Sequence, residues 1–119
     1  MIIIQLKASG LELTPPIRLY VEDKLRSLER LIPSEVESHA TFEVERSTAH
    51  HQKGLVYRSE VNLNIGGELL RAEQRSEDLY ASIDLVKDEL LRELKSSKTR
   101  KESLFRKGAR LAKRILRMN

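Results

Sequence analysis

The length of 119 residues is typical of one compact domain, large enough to bury a core between helices and a sheet. The chain has no cysteine, which excludes a disulfide framework and a thiolate metal site. Its apolar runs are far shorter than the roughly 20 residues that cross a bilayer, and the N-terminus becomes polar too early for a signal peptide. We therefore expect a soluble, cytoplasmic protein with no membrane partner.

The net charge of +4 is unevenly distributed along the chain. Residues 98–119 contain nine Lys or Arg and one acid, a net charge of +8, whereas residues 1–97 contain thirteen Lys or Arg and seventeen acids, a net charge of −4. Basic segments attract phosphate, and counterion release makes such binding depend on salt. Anionic lipid would attract the same segment, so charge alone leaves the partner open.

The N-terminal half has the pattern of a strand, a helix and a second strand. Residues 1–7 place Ile2, Ile4 and Leu6 on one side and Ile3, Gln5 and Lys7 on the other, which is typical of a strand with one better-buried face. The run Thr14-Pro15-Pro16 indicates a helix start with Thr14 as N-cap, and Pro33 should end that helix. The apolar stripe of the predicted helix consists of Ile17, Val21, Leu25, Leu28 and Ile32. Residues 36–46 alternate again and predict the second strand.

The C-terminal half predicts a hairpin followed by helical segments. Residues 55–65 and 68–75 alternate on either side of Gly66-Gly67, a two-residue hairpin signal. Ser76 is the expected N-cap of a second helix. The apolar stripe of this helix consists of Leu79, Ile83, Val86, Leu90 and Leu94. Ser96-Ser97 interrupts the pattern, and a third helical pattern, with apolar and basic residues on opposite arcs, begins near Arg100.

The predicted fold is α+β, in the order β-α-β-β-β-α, followed by a basic C-terminal helical tail. Because each strand has one apolar face, we expect a four-stranded sheet with two helices on one face and water on the other. The α+β domain should span residues 1–98, and residues 99–119 should form a basic amphipathic extension. The order also resembles a double-stranded RNA-binding domain with an added first strand, a likeness of fold that says little about function.

Three segments, 71–72 (RA), 78–84 (DLYASID) and 88–94 (DELLREL), resemble the ribosome hibernation promoting factor family, also called the protein Y or sigma-54 modulation protein family. The family pattern is RA, five residues, D-[ML]-YAAID, then DKLxRQL. Weaker matches to its first helix, to the end of its second strand and to its hairpin lie at 18–25, 44–46 and 66–67. The likeness covers about residues 1–101.

The resemblance implies a factor that binds the small ribosomal subunit through its RNA, in the mRNA and tRNA channel near the decoding sites. Such a factor would compete with tRNA and mRNA, inhibit translation and protect idle ribosomes, without a cofactor and as a monomer off the ribosome. The chain stops where long-form members continue into a dimerisation domain, so the resemblance implies a short form. A transcription-associated regulatory protein and a generic binder of double-stranded RNA stay open as alternatives. An enzyme is not expected, because no catalytic triad or phosphate-binding glycine loop is present.

Cations at phosphate spacing are what such a protein needs, because Lys and Arg hold RNA phosphates by charge and, for Arg, by bidentate hydrogen bonds. The candidate RNA-binding residues are Lys24, Arg26, Arg30, Arg71, Lys87, Arg92, Lys95, Lys98, Arg100, Lys101, Arg106, Arg110 and Lys113. Lys24 lies within the apolar stripe, so it either extends its stem along the helix margin or is held out toward RNA between the helices. For Arg71, cross-strand pairing with Glu60 and Glu73 is the favoured interpretation.

Two positions depart from the family pattern. Glu89 stands where the family usually has Lys, and Glu93 stands where it usually has Gln. Glu89 replaces a positive charge of the second helix with a negative one, and Glu93 adds a negative charge. We expect the basic tail to compensate for this loss.

Other polar and aromatic residues have a structural and a functional interpretation. Tyr80 borders the apolar stripe, so core packing is favoured over base stacking. Asp84 and Asp88 lie four residues apart, and a structural or pairing role is favoured over catalysis. His50-His51 lacks further ligands at suitable spacing, so a loop near RNA is favoured over a metal site.

The basic tail has three possible partners by its amphipathic pattern. It can fold on ribosomal RNA or against a ribosomal protein, dock on its own domain or a second copy, or lie on a membrane surface. The first of these is favoured.

Overall fold

The computed structural model describes residues 1–47 and 54–117, and it describes side chains as far as Lys98 outside the gap. The elements are β1 (Ile2–Ser9), α1 (Pro15–Arg26), a 3₁₀ turn (Glu29–Leu31), β2 (Ser38–Arg46), β3 (Tyr57–Ile65), β4 (Glu68–Ser76) and α2 (Leu79–Arg117). This order confirms the predicted α+β fold.

The four strands form one mixed sheet in the order β1-β2-β3-β4. β1 pairs parallel to β2 because α1 carries the chain back between them, whereas β2, β3 and β4 pair antiparallel. The register places Ile3 opposite His39, and His39 opposite Asn64. One face of the sheet is covered by both helices, and the other is open, as the single apolar face of each strand predicts.

The core lies between the covered sheet face and the apolar stripes of the two helices. Its largest fully buried side chains include Phe42 and Leu63 from the sheet, Leu25 from α1, and Ile83 and Leu90 from α2. Burial of one such side chain contributes about 1.5–3 kcal/mol, so this packing fixes both helices on the sheet.

The β3–β4 hairpin turns at Gly66-Gly67, as predicted. The two glycines have φ angles of 55° and 94°. A two-residue turn that matches the twist of its strands needs positive φ at both central positions, which glycine adopts without strain. The amide N–H of Gly67 donates to Oδ1 of Asn64 at 2.9 Å.

The end of α1 differs from its prediction. α1 stops at Arg26 instead of reaching Ile32, because Ser27 donates its hydroxyl to the Lys24 carbonyl at 2.6 Å, a local bond that competes with helix continuation. Leu28 is nevertheless buried, beside the 3₁₀ turn. Thr14 holds the N-cap position, but it makes no side-chain capping hydrogen bond in the described part of the chain.

The start of α2 also differs from its prediction. Ser76 is the last residue of β4, and the helix begins two residues after Glu77, at Leu79. Asp78 caps it instead, because its carboxylate accepts the N–H of Ala81 at 2.9 Å.

The predicted break at Ser96-Ser97 is wrong, because α2 is one helix of 39 residues. Ser97 is buried in line with the apolar stripe, and its hydroxyl donates to Glu68 on β4. A serine whose side chain has a partner on the sheet does not need to end the helix. The predicted third helix is therefore a continuation of α2, although its side chains lie outside the described residues.

Two further observations concern the described residues alone. No helix there combines the length and the apolarity needed to span a membrane. No group of three or more His, Cys, Asp or Glu side chains there is arranged to hold a metal ion. His50-His51 lies outside the described residues.

Candidate nucleic-acid interface

Four of the predicted cations gather where α2 leaves the domain. We name this surface the basic end and define it as Arg30, Arg92, Lys95 and Lys98. All four side chains are exposed. The three α2 residues follow one another at intervals of three, which makes them neighbours on the helix surface. Arg30, in the 3₁₀ turn, lines the same cavity as Lys98, so two distant parts of the sequence meet here.

This open cavity has a volume of about 540 Å³ and lies between the 3₁₀ turn and the chain that follows it, the β3–β4 hairpin and α2. Much of its lining is apolar, with Ile32, Pro33 and Leu94 among the residues that form it. Glu68 and the buried Ser97 give the lining a polar part, in which the Ser97 hydroxyl donates to the Glu68 carboxylate. Sequence reasoning missed this cavity, although Ser97 continues the apolar stripe three residues after Leu94.

Lys24 is part of a polar contact that fastens α1 to α2. The Tyr20 hydroxyl donates to Oδ1 of Asp84 at 2.7 Å, and Lys24 Nζ lies 3.2 Å from the same oxygen. Lys24 Nζ also lies 5.0 Å from the centre of the Tyr20 ring. The hydrogen bond to Asp84 raises the pKa of Lys24, and the hydrogen bond that Tyr20 donates to Asp84 raises the pKa of Tyr20. The predicted pairing role of Asp84 is confirmed, with Lys24 as its cation.

Tyr80 does not pack in the core, so that prediction is wrong. Its side chain is 36% exposed. The ring meets Tyr20 edge to face, with centroids 4.8 Å apart and an angle of 89° between the planes. Tyr80 lies about 80° around α2 from the centre of the buried stripe, and its contact with Tyr20 places it at the junction of the two helices.

Arg26 fastens the beginning of β1 to the end of α1. Its Nη1 donates to the Ile2 carbonyl at 2.8 Å and to Oε1 of Glu29 at 2.6 Å. The same Glu29 oxygen accepts the Ile2 N–H at 3.1 Å. The hydrogen bond from Arg26, with that from the Ile2 amide, lowers the pKa of Glu29. Arg26 is thus already engaged within the fold.

Two further candidates also have acidic neighbours. Arg71 lies on the open sheet face, 3.3 Å from Glu60 on β3, which confirms the expected cross-strand pairing, and 3.3 Å from Glu73 two residues along its own strand. On α2, Lys87 lies 3.6 Å from Asp88.

Arg58 is the centre of a charge cluster on the open sheet face that sequence reasoning missed. Its guanidinium lies 2.6 Å from Glu43, 2.9 Å from Glu45, 2.6 Å from Glu60 and 3.7 Å from Glu73. Burial alone would lower the pKa of Arg58, but its carboxylate partners raise it. The open face thus compensates much of its own charge. The alternation of residues 55–65 contained the signal, because a period of two puts Arg58 and Glu60 on the polar side of that strand.

Glu89 has a structural use that a lysine could not serve. Its Oε2 accepts the backbone N–H of Glu73 at 3.0 Å and the side-chain N–H of Gln74 at 3.0 Å. This carboxylate fastens α2 to β4. Lysine has donors but no acceptor at this position, so the departure from the family pattern replaces a cation with a fold contact.

Five candidates follow Lys98 along the chain. The backbone is helical at these positions, but their side chains lie outside the described residues: Arg100, Lys101, Arg106, Arg110 and Lys113. Their role in binding stays a prediction.

The fold and its surface define a helix-backed α+β domain with a group of exposed cations at one end. A family model described as "Sigma 54 modulation protein / S30EA ribosomal protein" matches residues 4–102. The chain belongs to this family.

Relatives and solved structures agree with this membership. The chain is 38% identical over 98 residues to a protein of Deinococcus radiodurans and 34% identical over 103 residues to one of Staphylococcus aureus, both named Ribosome hibernation promotion factor. These matches cover 82% and 84% of this chain, and the chain spans about half the length of these curated relatives (50% of each).

Two solved structures share the fold. The N-terminal domain of Thermus thermophilus Protein Y matches with a TM-score of 0.65 and 33% identity, over 79% of this chain and 97% of that one. A ribosomal subunit interface protein of Coxiella burnetii matches with a TM-score of 0.60 and 25% identity, over 83% of this chain and 99% of that one.

Proposed function

We propose that this protein is a ribosome hibernation factor of the cytoplasm. It binds ribosomal RNA of the small subunit in the mRNA and tRNA channel, near the decoding sites. There it excludes tRNA and mRNA, inhibits translation and protects idle ribosomes. Membership of the family and the names of the relatives support this class of function. The observation that carries the RNA contact is the basic end.

The basic end suits a structured RNA backbone. Its four cations come from two segments that the core holds in place, so they need little reorganisation to meet phosphates. Such contacts position a protein on RNA by shape and charge, whereas base sequence contributes less.

The rest of α2 extends this surface along one direction. At 1.5 Å per residue, the helical segment 99–117 adds roughly 28 Å beyond the domain. It carries eight more Lys or Arg and one Glu. We therefore assign residues 99–117 to RNA or to a neighbouring ribosomal protein, with the basic end as the anchor.

The open sheet face is a weaker candidate for the RNA contact. Arg58 is held among four carboxylates, and Arg71 lies between Glu60 and Glu73. A phosphate approaching this face would meet those carboxylates beside each cation. The helix side at the basic end is therefore the proposed contact.

Co-sedimentation in sucrose gradients tests the proposal with the intact protein. We expect it to move with purified small subunits and not with large subunits, and to be displaced when tRNA and mRNA are added together. Translation in a reconstituted system should fall as small subunits become occupied.

A short RNA duplex serves as the control for specificity. Equal affinity for the duplex and for small subunits, with no displacement by tRNA, would show a generic RNA binder instead. Binding only to a polymerase subunit would show a transcription-associated protein.

A further inference from the structure

The cavity at the basic end combines three kinds of chemistry in one place. Its apolar walls include Leu31, Ile32, Pro33, Val36 and Leu94. Ser97 and Glu68 form a polar part, and the exposed cations Arg30 and Lys98 lie on the same lining. Apolar walls, one polar group and flanking cations are the features with which proteins hold a base that has left its stack.

We propose that this cavity takes one unpaired nucleobase that carries an exocyclic amino group, with the adjoining phosphates held by Arg30 and Lys98. This inference rests on the proposed RNA-binding function and names the part of the RNA that the basic end recognises. The base lies between the apolar walls. Its amino group donates a hydrogen bond to the Glu68 carboxylate.

The choice of base follows from the hydrogen-bonding capacity of Glu68. A carboxylate accepts several hydrogen bonds and donates none when ionised, and Ser97 supplies one donor. Adenine, cytosine and guanine each offer an amino group, and a carboxylate reads cytosine through N4. Uracil presents a carbonyl oxygen at the position where cytosine has that amino group. The carboxylate therefore discriminates against uracil.

Other occupants fit the cavity less well. An apolar side chain of a partner protein would remove water from Glu68 without offering a donor, which is costly for a polar group. The backbone of the chain's own basic segment does not fold back over the cavity, because α2 continues as one helix from Ser97 to Arg117. The same segment from a second copy would bring positive charge against Arg30 and Lys98.

A base-preference measurement with Glu68→Gln tests the proposal. The probes are the 12-nucleotide single strands oligo(C) and oligo(U), and the readout is fluorescence anisotropy at one salt concentration. We expect the unmodified protein to bind oligo(C) about fivefold tighter than oligo(U), the effect of one added hydrogen bond. In Glu68→Gln the ratio should fall to about one, because the amide also donates to a carbonyl oxygen.

Glu37→Gln is the matched control. It removes the same charge from an exposed side chain that contacts only His39 among the hydrogen bonds of the described residues, so it should leave the ratio unchanged. The Glu68 amide keeps an oxygen that can accept the Ser97 hydroxyl, so the variant retains the local fold contact. A shift in base preference is a result that a merely structural role would not produce.

Val36→Trp, which fills the cavity, provides a second test. It should lower the affinity for oligo(C) to that for oligo(U), with the far-UV circular dichroism spectrum confirming the fold. If it weakens binding to small subunits but not to oligo(C), the cavity holds a side chain of a ribosomal protein and the proposal is overturned. Equal affinity of the unmodified protein for both strands, or an unchanged ratio in Glu68→Gln, also overturns it.

These outcomes are separate from those that test the proposed function. Loss of the base preference with retained binding to small subunits rejects the nucleobase site alone. Absence of co-sedimentation with small subunits rejects the proposed function, whatever the oligonucleotide ratio.

Discussion

Replacement of Arg58 by Met removes the cation from the cluster on the open sheet face. The change leaves Glu43, Glu45, Glu60 and Glu73 close together without their common partner. Breaking a buried ion pair costs about 3–5 kcal/mol, and an exposed pair is worth about 0–1 kcal/mol. The Arg58 side chain is 14% exposed and its partners are 19–40% exposed. We therefore expect an intermediate loss of about 2–4 kcal/mol at pH 7.

The loss should depend on pH in a defined direction. Burial alone would raise the pKa of Glu60, but hydrogen bonds from Arg58, Asn62 and Arg71 lower it below its ordinary value. A carboxylate whose folded pKa lies below its unfolded pKa adds stability above the unfolded pKa, and this stability is lost as pH falls through the folded pKa. Without Arg58, Glu60 loses one of the hydrogen bonds that lower its pKa, and repulsion from the neighbouring carboxylates disfavours its ionised form. The difference between the two proteins should therefore shrink from pH 7 to about pH 4.

Urea unfolding followed by far-UV circular dichroism at pH 7 and pH 4 measures both effects. Arg18→Met is the control, because Arg18 is an exposed cation of α1, on the other side of the sheet from this cluster, and its loss should change stability by less than about 0.5 kcal/mol. The reasoning is refuted if Arg58→Met costs no more than the control at pH 7. It is also refuted if the cost at pH 4 equals the cost at pH 7.

Three further changes test other parts of the structure. Asp84→Ala removes the acceptor that Tyr20 and Lys24 share, so urea unfolding should show a loss of about 1–2 kcal/mol; unchanged stability would contradict the α1–α2 contact. Glu89→Lys restores the usual residue of the family but leaves the Glu73 N–H without its acceptor, and a loss of about 1 kcal/mol is expected by the same method, with a gain arguing against that contact. Deletion of residues 102–119 should weaken binding to small subunits and flatten its salt dependence, whereas an unchanged affinity and slope would exclude this segment as an RNA element.

Much of the fold followed from the period of the apolar residues. Strand alternation has a period of two, so a few residues suffice to assign the inward face, and the buried Phe42 and Leu63 confirm the assignment. The positive φ angles at Gly66-Gly67 followed from the chemistry of short hairpins. The family pattern in 78–84 was equally visible, because it depends on residue identity alone.

Helix boundaries were harder to predict, because they depend on contacts outside the helix. Ser96-Ser97 has the local composition of a break, yet Ser97 has a partner on β4 that only the packed fold provides. Asp78, and not Ser76, is the N-cap of α2 because Ser76 is still part of β4. Local propensity does not decide between two nearby candidate capping residues when one of them belongs to a strand.

Some of the predicted RNA-binding residues have partners within the fold and others meet at the basic end, and contacts between elements distant in sequence decide which. Lys24 and Asp84 are sixty residues apart, and their ion pair depends on how α1 packs on α2. Arg26 was engaged by the backbone of β1, which periodicity cannot show. The proximity of Arg30 to Lys98 has the same origin, since the cavity between them exists only once both segments pack on the sheet.

Binding to purified small subunits as a function of salt, after neutralising the basic end on α2, tests the central claim most directly. The variant carries Gln at Arg92, Lys95 and Lys98, and the control carries Gln at Lys7 and Arg18, exposed cations away from that end. Each lost phosphate contact should lower the slope of log affinity against log salt by about 0.7–0.9, so the variant should lose roughly two units or more and bind at least about tenfold more weakly at moderate ionic strength. Occupancy and slope equal to those of the control would contradict the account.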